Sequence, residues 1–346
     1  MAREAMAREA MANETPIRVG VIGAGMMGSG HAGCVAQSAH GELVAVADTD
    51  VARARAIGEQ HGAASYRTHR ELLEAETVDA LVVCTPDWAH REVCVDAAAA
   101  GKHVLVEKPL AMTVEDCDAI IEAVAKAGVT LMVGQILRFD PRYGAARASV
   151  VAGEIGDVSY LYARRSNTLR QPRRFEGKTT VLHYLAVHDV DWMLWAMGEP
   201  VTEVYAASSR KALGDLGVDD SVFCTLRFGG GAVGCVQVGW VLPEGNSADL
   251  DAYLEVVGTA GSVHIDTSNA GIRVEGARPH RVDTTYGFSV GGQAGGALRD
   301  EVNHFLRCLQ TGEPPLVDGP QARAAVAVVA AAAESARTGR PVAPAR

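Results

Sequence analysis

None of the seven cysteines (Cys34, Cys84, Cys94, Cys117, Cys224, Cys235 and Cys308) stands at Cys-x-x-Cys spacing from another. That excludes a zinc knuckle and a dithiol redox centre. An odd, dispersed set fits reduced core thiols, so a cytoplasmic location is expected. Long apolar runs are also missing. The longest, Ala324–Ala333, falls far short of the ~20 residues a membrane span needs. Basic surplus is absent too: the formal net charge is −10, which argues against a DNA or RNA partner while leaving room for a small phosphorylated ligand in a local amide-lined site. No His/Cys/Asp group has metal-ligand spacing, so no metal is expected. The opening MAREAMAREAMANE lacks the apolar centre of a secretion signal and reads as a flexible tail over 1–15.

What is present is enough chain, 346 residues, for two domains, since single cores stop growing near ~250–300 residues. From Ile17 to Gly134, short runs that are apolar throughout (Ile17–Ile22, Leu43–Ala47, Ala80–Cys84, Val104–Val106, Leu131–Val133) alternate with helical stretches. Strands apolar on both faces belong to a buried parallel sheet, and strand–helix alternation implies a doubly wound α/β domain over 16–138. Thr113-Val114-Glu115-Asp116 has the form of a capping box, and Asp87 is placed to cap a helix after Pro86. Beyond Phe139 the period becomes two: Val222, Cys224, Leu226 and Phe228, then a triple-glycine turn, then Val236, Val238 and Trp240. This predicts a second, α+β domain over 139–346 with a mostly antiparallel open sheet. Helices near Tyr184–Met197 and Ala297–Leu309 should flank that sheet. A last helix, about 320–338, must bury its apolar face on the first domain or on another neighbour.

Gly23-Ala24-Gly25-Met26-Met27-Gly28 carries G-x-G-x-x-G between the first strand and a helix, the context a dinucleotide site demands. Gly23 permits the turn, Gly25 admits the pyrophosphate, and Gly28 allows close helix packing. The helix start offers free amides to phosphate. Asp48, at the end of the second strand, either binds both adenosine ribose hydroxyls, which selects NAD over NADP, or caps the next helix. Arg53 and Arg55 read as a solvated helix face.

The fourth apolar strand ends in Glu107-Lys108-Pro109, where parallel sheets bind ligands. Together with the glycine loop, Thr85-Pro86-Asp87-Trp88-Ala89-His90, the stretch Gly134 to Phe139 and His188-Asp189-Val190-Asp191, it makes the chain resemble the Gfo/Idh/MocA (glucose–fructose oxidoreductase / inositol dehydrogenase) family from Ile17 onward. The resemblance implies a Rossmann domain plus a substrate domain, and hydride exchange between NAD and a secondary hydroxyl or ketone of a sugar, sugar derivative or cyclitol. It places Thr85, Pro86, Trp88, His90, Glu107 and Lys108 beside the cofactor, with Trp88 either flanking the nicotinamide or filling the cleft between the domains. It gives Lys108 substrate binding and proton transfer, and it maps the catalytic histidine onto His188. Where that family often has an aspartate, four residues earlier, this chain has Tyr184: an uncharged relay or plain packing. His183 is the adjacent substitute. Glu107 is expected to point away from Lys108.

Asn167, Arg170, Gln171, Arg173 and Arg174 form either a polar wall for a polyhydroxylated substrate or a solvated loop. His264, His280 and His304 read as structural. The open sheet has helices for one face only, so a homodimer or homotetramer is expected. Two other functions fit the same motifs: an NAD-using glycoside-cleaving enzyme working by transient oxidation, and a non-catalytic dinucleotide-binding regulator.

Overall fold

The computed structural model describes residues 15–243, 250–267, 272–274, 280–282 and 285–346; the expected tail lies outside them but for Thr15. Six strands, β1 (Ile17–Ile22), β2 (Gly41–Ala47), β3 (Ala64–Tyr66), β4 (Ala80–Val83), β5 (His103–Glu107) and β6 (Leu131–Gly134), form one sheet in the order β3-β2-β1-β4-β5-β6. Every pairing in it is parallel. All residues of β4 and β6 are buried, which is why those strands read as unbroken apolar runs. β3 escaped the sequence because its three residues, Ala-Ser-Tyr, are only half-buried. The helices of this region are α1 (Met26–Ala36), α2 (Val51–His61), α3 (His69–Ala75), α4 (His90–Ala99) and α5 (Val114–Ala127). Thr113 Oγ1 accepts the Asp116 amide at 3.1 Å, as its capping pattern implies. Asp87 does not cap a helix. It opens a 3-10 turn, Asp87–Ala89, and its carboxylate accepts the amide of Trp88 at 3.1 Å, while α4 starts at His90 with no side-chain cap.

The second sheet contains β7 (Val158–Thr168), β8 (Val201–Ser209), β9 (Ser221–Phe228), β10 (Val233–Leu242), β11 (Leu250–Gly258) and β12 (Ser262–Asp266), ordered β12-β11-β7-β10-β9-β8. It is antiparallel except where β7 and β10 run parallel. Along β9, Val222, Cys224, Leu226 and Phe228 are buried and the residues between them are not, the expected alternation. Gly231, at φ +98°, makes the turn into β10 that a side chain would strain. Around this sheet the chain forms α6 (Pro141–Val151), the short α7 (Arg170–Arg174) and α8 (Val187–Met197); two further helices, α9 (Ala297–Thr311) and α10 (Gly319–Thr338), follow in the chain. α10 packs on β8 and α8.

The chain divides into two non-contiguous compact units: Met1–Glu107 with Ala119–Gly134 and Ser289–Asp318, and Lys108–Asp118 with Gln135–Phe288 and Gly319–Arg346. This corrects the expectation that the helix near Ala297–Leu309 flanks the second sheet. α9 packs on α1 instead, with Leu298 close to Gly30 and Leu306 close to Gly41, where the absent side chains make room. Among the described residues no helix is long and apolar enough to cross a membrane.

Candidate functional site

In the first unit, β1 is followed by Gly23, whose φ is +96° and where a Cβ would stand 2.6 Å from the carbonyl oxygen of Cys84. A Cβ on Gly28 would overlap Gly23 O, whereas one on Gly25 would meet nothing within 4 Å. The first and last glycines are thus forced by packing, and the middle one leaves open backbone. The amides of Met26, Met27 and Gly28 open α1, where no intrahelical acceptor exists and the helix dipole is positive. Met26 is exposed.

Asp48 reaches back to this loop. Its Oδ2 accepts the Ala24 amide at 2.7 Å and its Oδ1 the Asp50 amide at 2.8 Å. The cap of α2 is Asp50, which accepts the Ala52 amide, so capping does not account for Asp48. A carboxylate offers about four acceptor directions, and two remain for ribose hydroxyls. Arg53 pairs with Asp50 at 2.8 Å, and both it and Arg55 are exposed, as read from the sequence. After β4, the ring of buried His90 donates from Nε2 to Thr85 O at 3.0 Å and closes the Thr85–Pro86 turn. Thr85 Oγ1 is buried with no protein partner, and Trp88 is 45 % exposed. These residues fit a dinucleotide: amides free to meet phosphate, an open glycine, and a carboxylate with spare acceptor capacity. Glu107 turns to His31 of α1, Oε1 to Nε2 at 2.8 Å.

Lys108 follows β5 directly and is assigned to the second unit. Its Nζ donates to the Tyr184 carbonyl at 3.0 Å and lies 4.6 Å from the centroid of the Tyr184 ring. That carbonyl belongs to a π-turn, Leu182–Ala186, leading into α8. Such a turn interrupts the regular ladder, and here a carbonyl is turned to a side-chain donor. It also breaks the simple one-turn relation expected between Tyr184 and His188. The Tyr184 ring packs between Phe175 (5.2 Å between centroids) and Trp240 (5.8 Å). Trp240 is buried and its Nε1 has no partner.

His188 is half-buried, and its Nδ1 is enclosed without a partner. Burial, then the positive charges of Lys108 and Arg165, hold its pKa well below the usual imidazole range, so the ring is neutral at physiological pH. Buried ion pairs anchor the helix that carries it: Arg165 grips Asp189 with two contacts of 2.8 Å, and Arg138 grips Asp191 at 2.9 and 2.7 Å. His183, the adjacent candidate, has both ring nitrogens engaged. Its Nε2 donates to Met112 O at 2.9 Å, and its Nδ1 therefore accepts from the Thr180 hydroxyl at 2.8 Å.

The polar stretch before this helix divides. Arg173 pairs with Asp215 at 2.9 Å, Arg174 lies 5.9 Å from the Phe175 ring, and Arg170 is exposed. Asn167 is buried, and Gln171 Oε1 is enclosed without a partner. His264 is bound to Ser262 and Tyr253, and His304 accepts the Leu316 amide, both structural roles; the side chain of His280 lies outside the described residues. All seven cysteines are free thiols. Burial pushes Cys34 up to about 11 and Cys117 and Cys224 up to about 12, so none of these three is a nucleophile. Sequence reasoning missed Phe175, Trp240, His31 and Glu301. Their burial and their contacts in the fold reveal them.

Two family models match. Residues 17–135 fit one described as an oxidoreductase family with an NAD-binding Rossmann fold, and residues 143–264 fit the GFO/IDH/MocA C-terminal domain. A scyllo-inositol 2-dehydrogenase (NAD(+)) of Bacillus subtilis is 30 % identical over 319 residues, 90 % of this chain and 92 % of that protein. A myo-inositol 2-dehydrogenase of Thermotoga maritima is 29 % identical over 305 residues, 87 % and 90 %. The crystal structure of GenD2 from gentamicin A biosynthesis, solved with NAD, superposes with TM-score 0.80 at 26 % identity over 96 % of this chain and 97 % of that one.

Proposed function

As a member of the Gfo/Idh/MocA oxidoreductase family, this chain, we propose, moves hydride between NAD and a secondary hydroxyl or ketone of a cyclitol or sugar, inositols being the first class to try. The observation that carries the proposal is the Lys108–Tyr184–His188 group, an amine held on a carbonyl beside a neutral imidazole. Lys108, His188 and Tyr184 are the proposed catalytic residues, with Arg170 as a further substrate contact. Residues 16–138 are proposed to bind the cofactor through Gly23, Gly25, Met26, Met27, Gly28, Asp48, Thr85, Pro86, Trp88, His90, Glu107 and Lys108, and 139–346 to bind substrate.

The nicotinamide, when bound, accepts or supplies the hydride. With its amine unprotonated, Lys108 takes the hydroxyl proton as the C–H hydride leaves, and returns it in the reverse direction. His188, neutral, holds the same oxygen by a hydrogen bond. Phe175, Tyr184 and Trp240 form an apolar wall that keeps water from the amine. A panel of inositols and sugars, followed by NADH absorbance with product analysis for bond cleavage, tests this. Absorbance change without cleavage is expected; cleavage with no net NADH would instead indicate the glycoside-cleaving reading. A regulator would have no use for the Lys108 arrangement.

Asp48→Ala is expected to weaken NAD binding by roughly 1.5–3 kcal/mol, because a charged acceptor and a loop brace are lost together. Titration calorimetry measures it, and NADP used by the unaltered enzyme as well as NAD would contradict the ribose role.

A cytoplasmic homodimer or homotetramer is also proposed. The uncovered face of the second sheet presents Tyr160, Tyr205, Phe223 and Val233, with Phe223 57 % exposed, an apolar surface of the kind that pairs. Light scattering at micromolar concentration should give a dimer or tetramer mass, and Phe223→Glu should lower it. A monomer mass for the unaltered chain refutes this.

A further inference from the structure

At the tips of β5 and β6, within the first unit, Glu107 meets a buried acid and an imidazole, Glu301 and His31, to which the reaction above gives no role. Glu301 of α9 is 0 % exposed, and neither of its carboxyl oxygens has a partner. It rests against the backbone of Gly134, whose Cβ, if present, would stand 3.3 Å from Oε1. His31 of α1 and Glu107 of β5 each bring a ring nitrogen or carboxylate oxygen within 4.8 Å of it, and those two are joined at 2.8 Å. The other titratable groups facing it are the thiols of Cys34 and Cys84. On its own helix, Arg299 pairs with Asp300.

An ionised carboxylate in such a place has lost its water and gained no donor. The cost is several kcal/mol in general, and such a group neutralises instead. A second anion, Glu107, adds repulsion. Burial first and Glu107 second accordingly hold the Glu301 carboxyl well above the usual range. A neutral acid has one O–H to give, and the Glu107 carboxylate, within 4.8 Å, is an acceptor that one bridging water reaches.

We propose that Glu301 is a positioning residue for the dinucleotide site: a proton-bearing acid that gives its hydrogen to Glu107, so that Glu107 stays locked on His31 and fixes α1 against the end of β5. His31 lies three residues after Gly28, so this lock sets where the glycine-loop amides stand. Ionising Glu301 would put two anions side by side and drive α9 and α1 off the sheet. The role rests on the NAD reading above.

Two measurements on the full chain test it. The first needs no NAD: urea midpoints of the unaltered protein and Glu301→Gln from pH 5 to 9. A folded-state pKa raised above the unfolded value, about 4.3, gives stability that is complete below that value and lost as pH rises through the folded pKa. The unaltered protein should therefore fall steadily relative to Glu301→Gln with rising pH; parallel curves would overturn the protonated state. The second is NAD affinity at neutral pH. Glu301→Gln, which keeps a neutral donor, should stay within about threefold of the parent, and Glu301→Ala should bind about tenfold or more weakly. Loss in Gln equal to that in Ala, or no loss in Ala, overturns the positioning role. So does a stoichiometric metal in the purified protein that Glu301→Gln removes. If the unaltered chain binds no NAD, the functional reading fails while the stability arm still decides the proton.

Discussion

Lys108→Ala lowers turnover by about 10²–10⁴-fold, the range for loss of a positioned acid–base group, while NAD affinity changes little. Oxidising a secondary alcohol frees a proton, and a base must stand within about 2.6–3.2 Å of that oxygen. Lys108 is held for such a task. One hydrogen of Nζ goes to the Tyr184 carbonyl and the ring lies beneath it. An amine so fixed has its position set before substrate arrives. The Glu107 carboxylate next to it in sequence is engaged by His31. Single-turnover kinetics with bound NAD is the measurement. A folded Lys108→Ala protein that works within a few-fold of the parent refutes the mechanism.

His188→Ala should cut turnover by about 10²-fold or more. The neutral state of His188 makes a further, directional forecast. The ring resists protonation because of burial and of the Lys108 and Arg165 charges, so the fall of kcat/KM on the acid side should not show an imidazole titrating near pH 6.5. Replacing His188 by Asn should therefore leave that limb in place. Tyr184→Phe should have a smaller effect than His188→Ala, because the Lys108 bond goes to the main-chain carbonyl and the ring contacts survive. Near-normal turnover in His188→Ala would remove it from the site.

The glycine loop and the parallel sheet were legible because their causes are local. A Gly at φ +96° and a helix start must be adjacent in sequence, and strands buried on both faces must be apolar throughout. Lys108 was legible because a strand end and a charged residue coincide. The roles that failed to show depend on distant residues. Asp48 looked like a helix cap or a ribose ligand, yet it also braces Ala24, twenty-four positions earlier. The spacing of Tyr184 and His188 reads as one α-helical turn, and no residue type announces the π-turn that alters it. Glu301 looks like any charge on an amphipathic helix. Only the seating of Leu298 and Leu306 against glycines shows that its face is turned inward.

The order in which α9 and α10 are used has a consequence for biosynthesis. A ribosome delivers the chain from the amino end, and a domain generally folds once its own sequence has emerged. Neither unit here is complete at that stage of its sheet. The first has all six parallel strands by Gly134 but lacks α9, whose Leu298 and Leu306 fill the seats beside Gly30 and Gly41. The second has its last named sheet strand by Asp266 but lacks α10, which covers β8. Both units therefore wait on the same stretch of messenger, the codons for residues 297–338. A nascent chain stalled before Ala297 exposes both apolar surfaces at once, which makes that interval the one in which chaperone capture should be strongest.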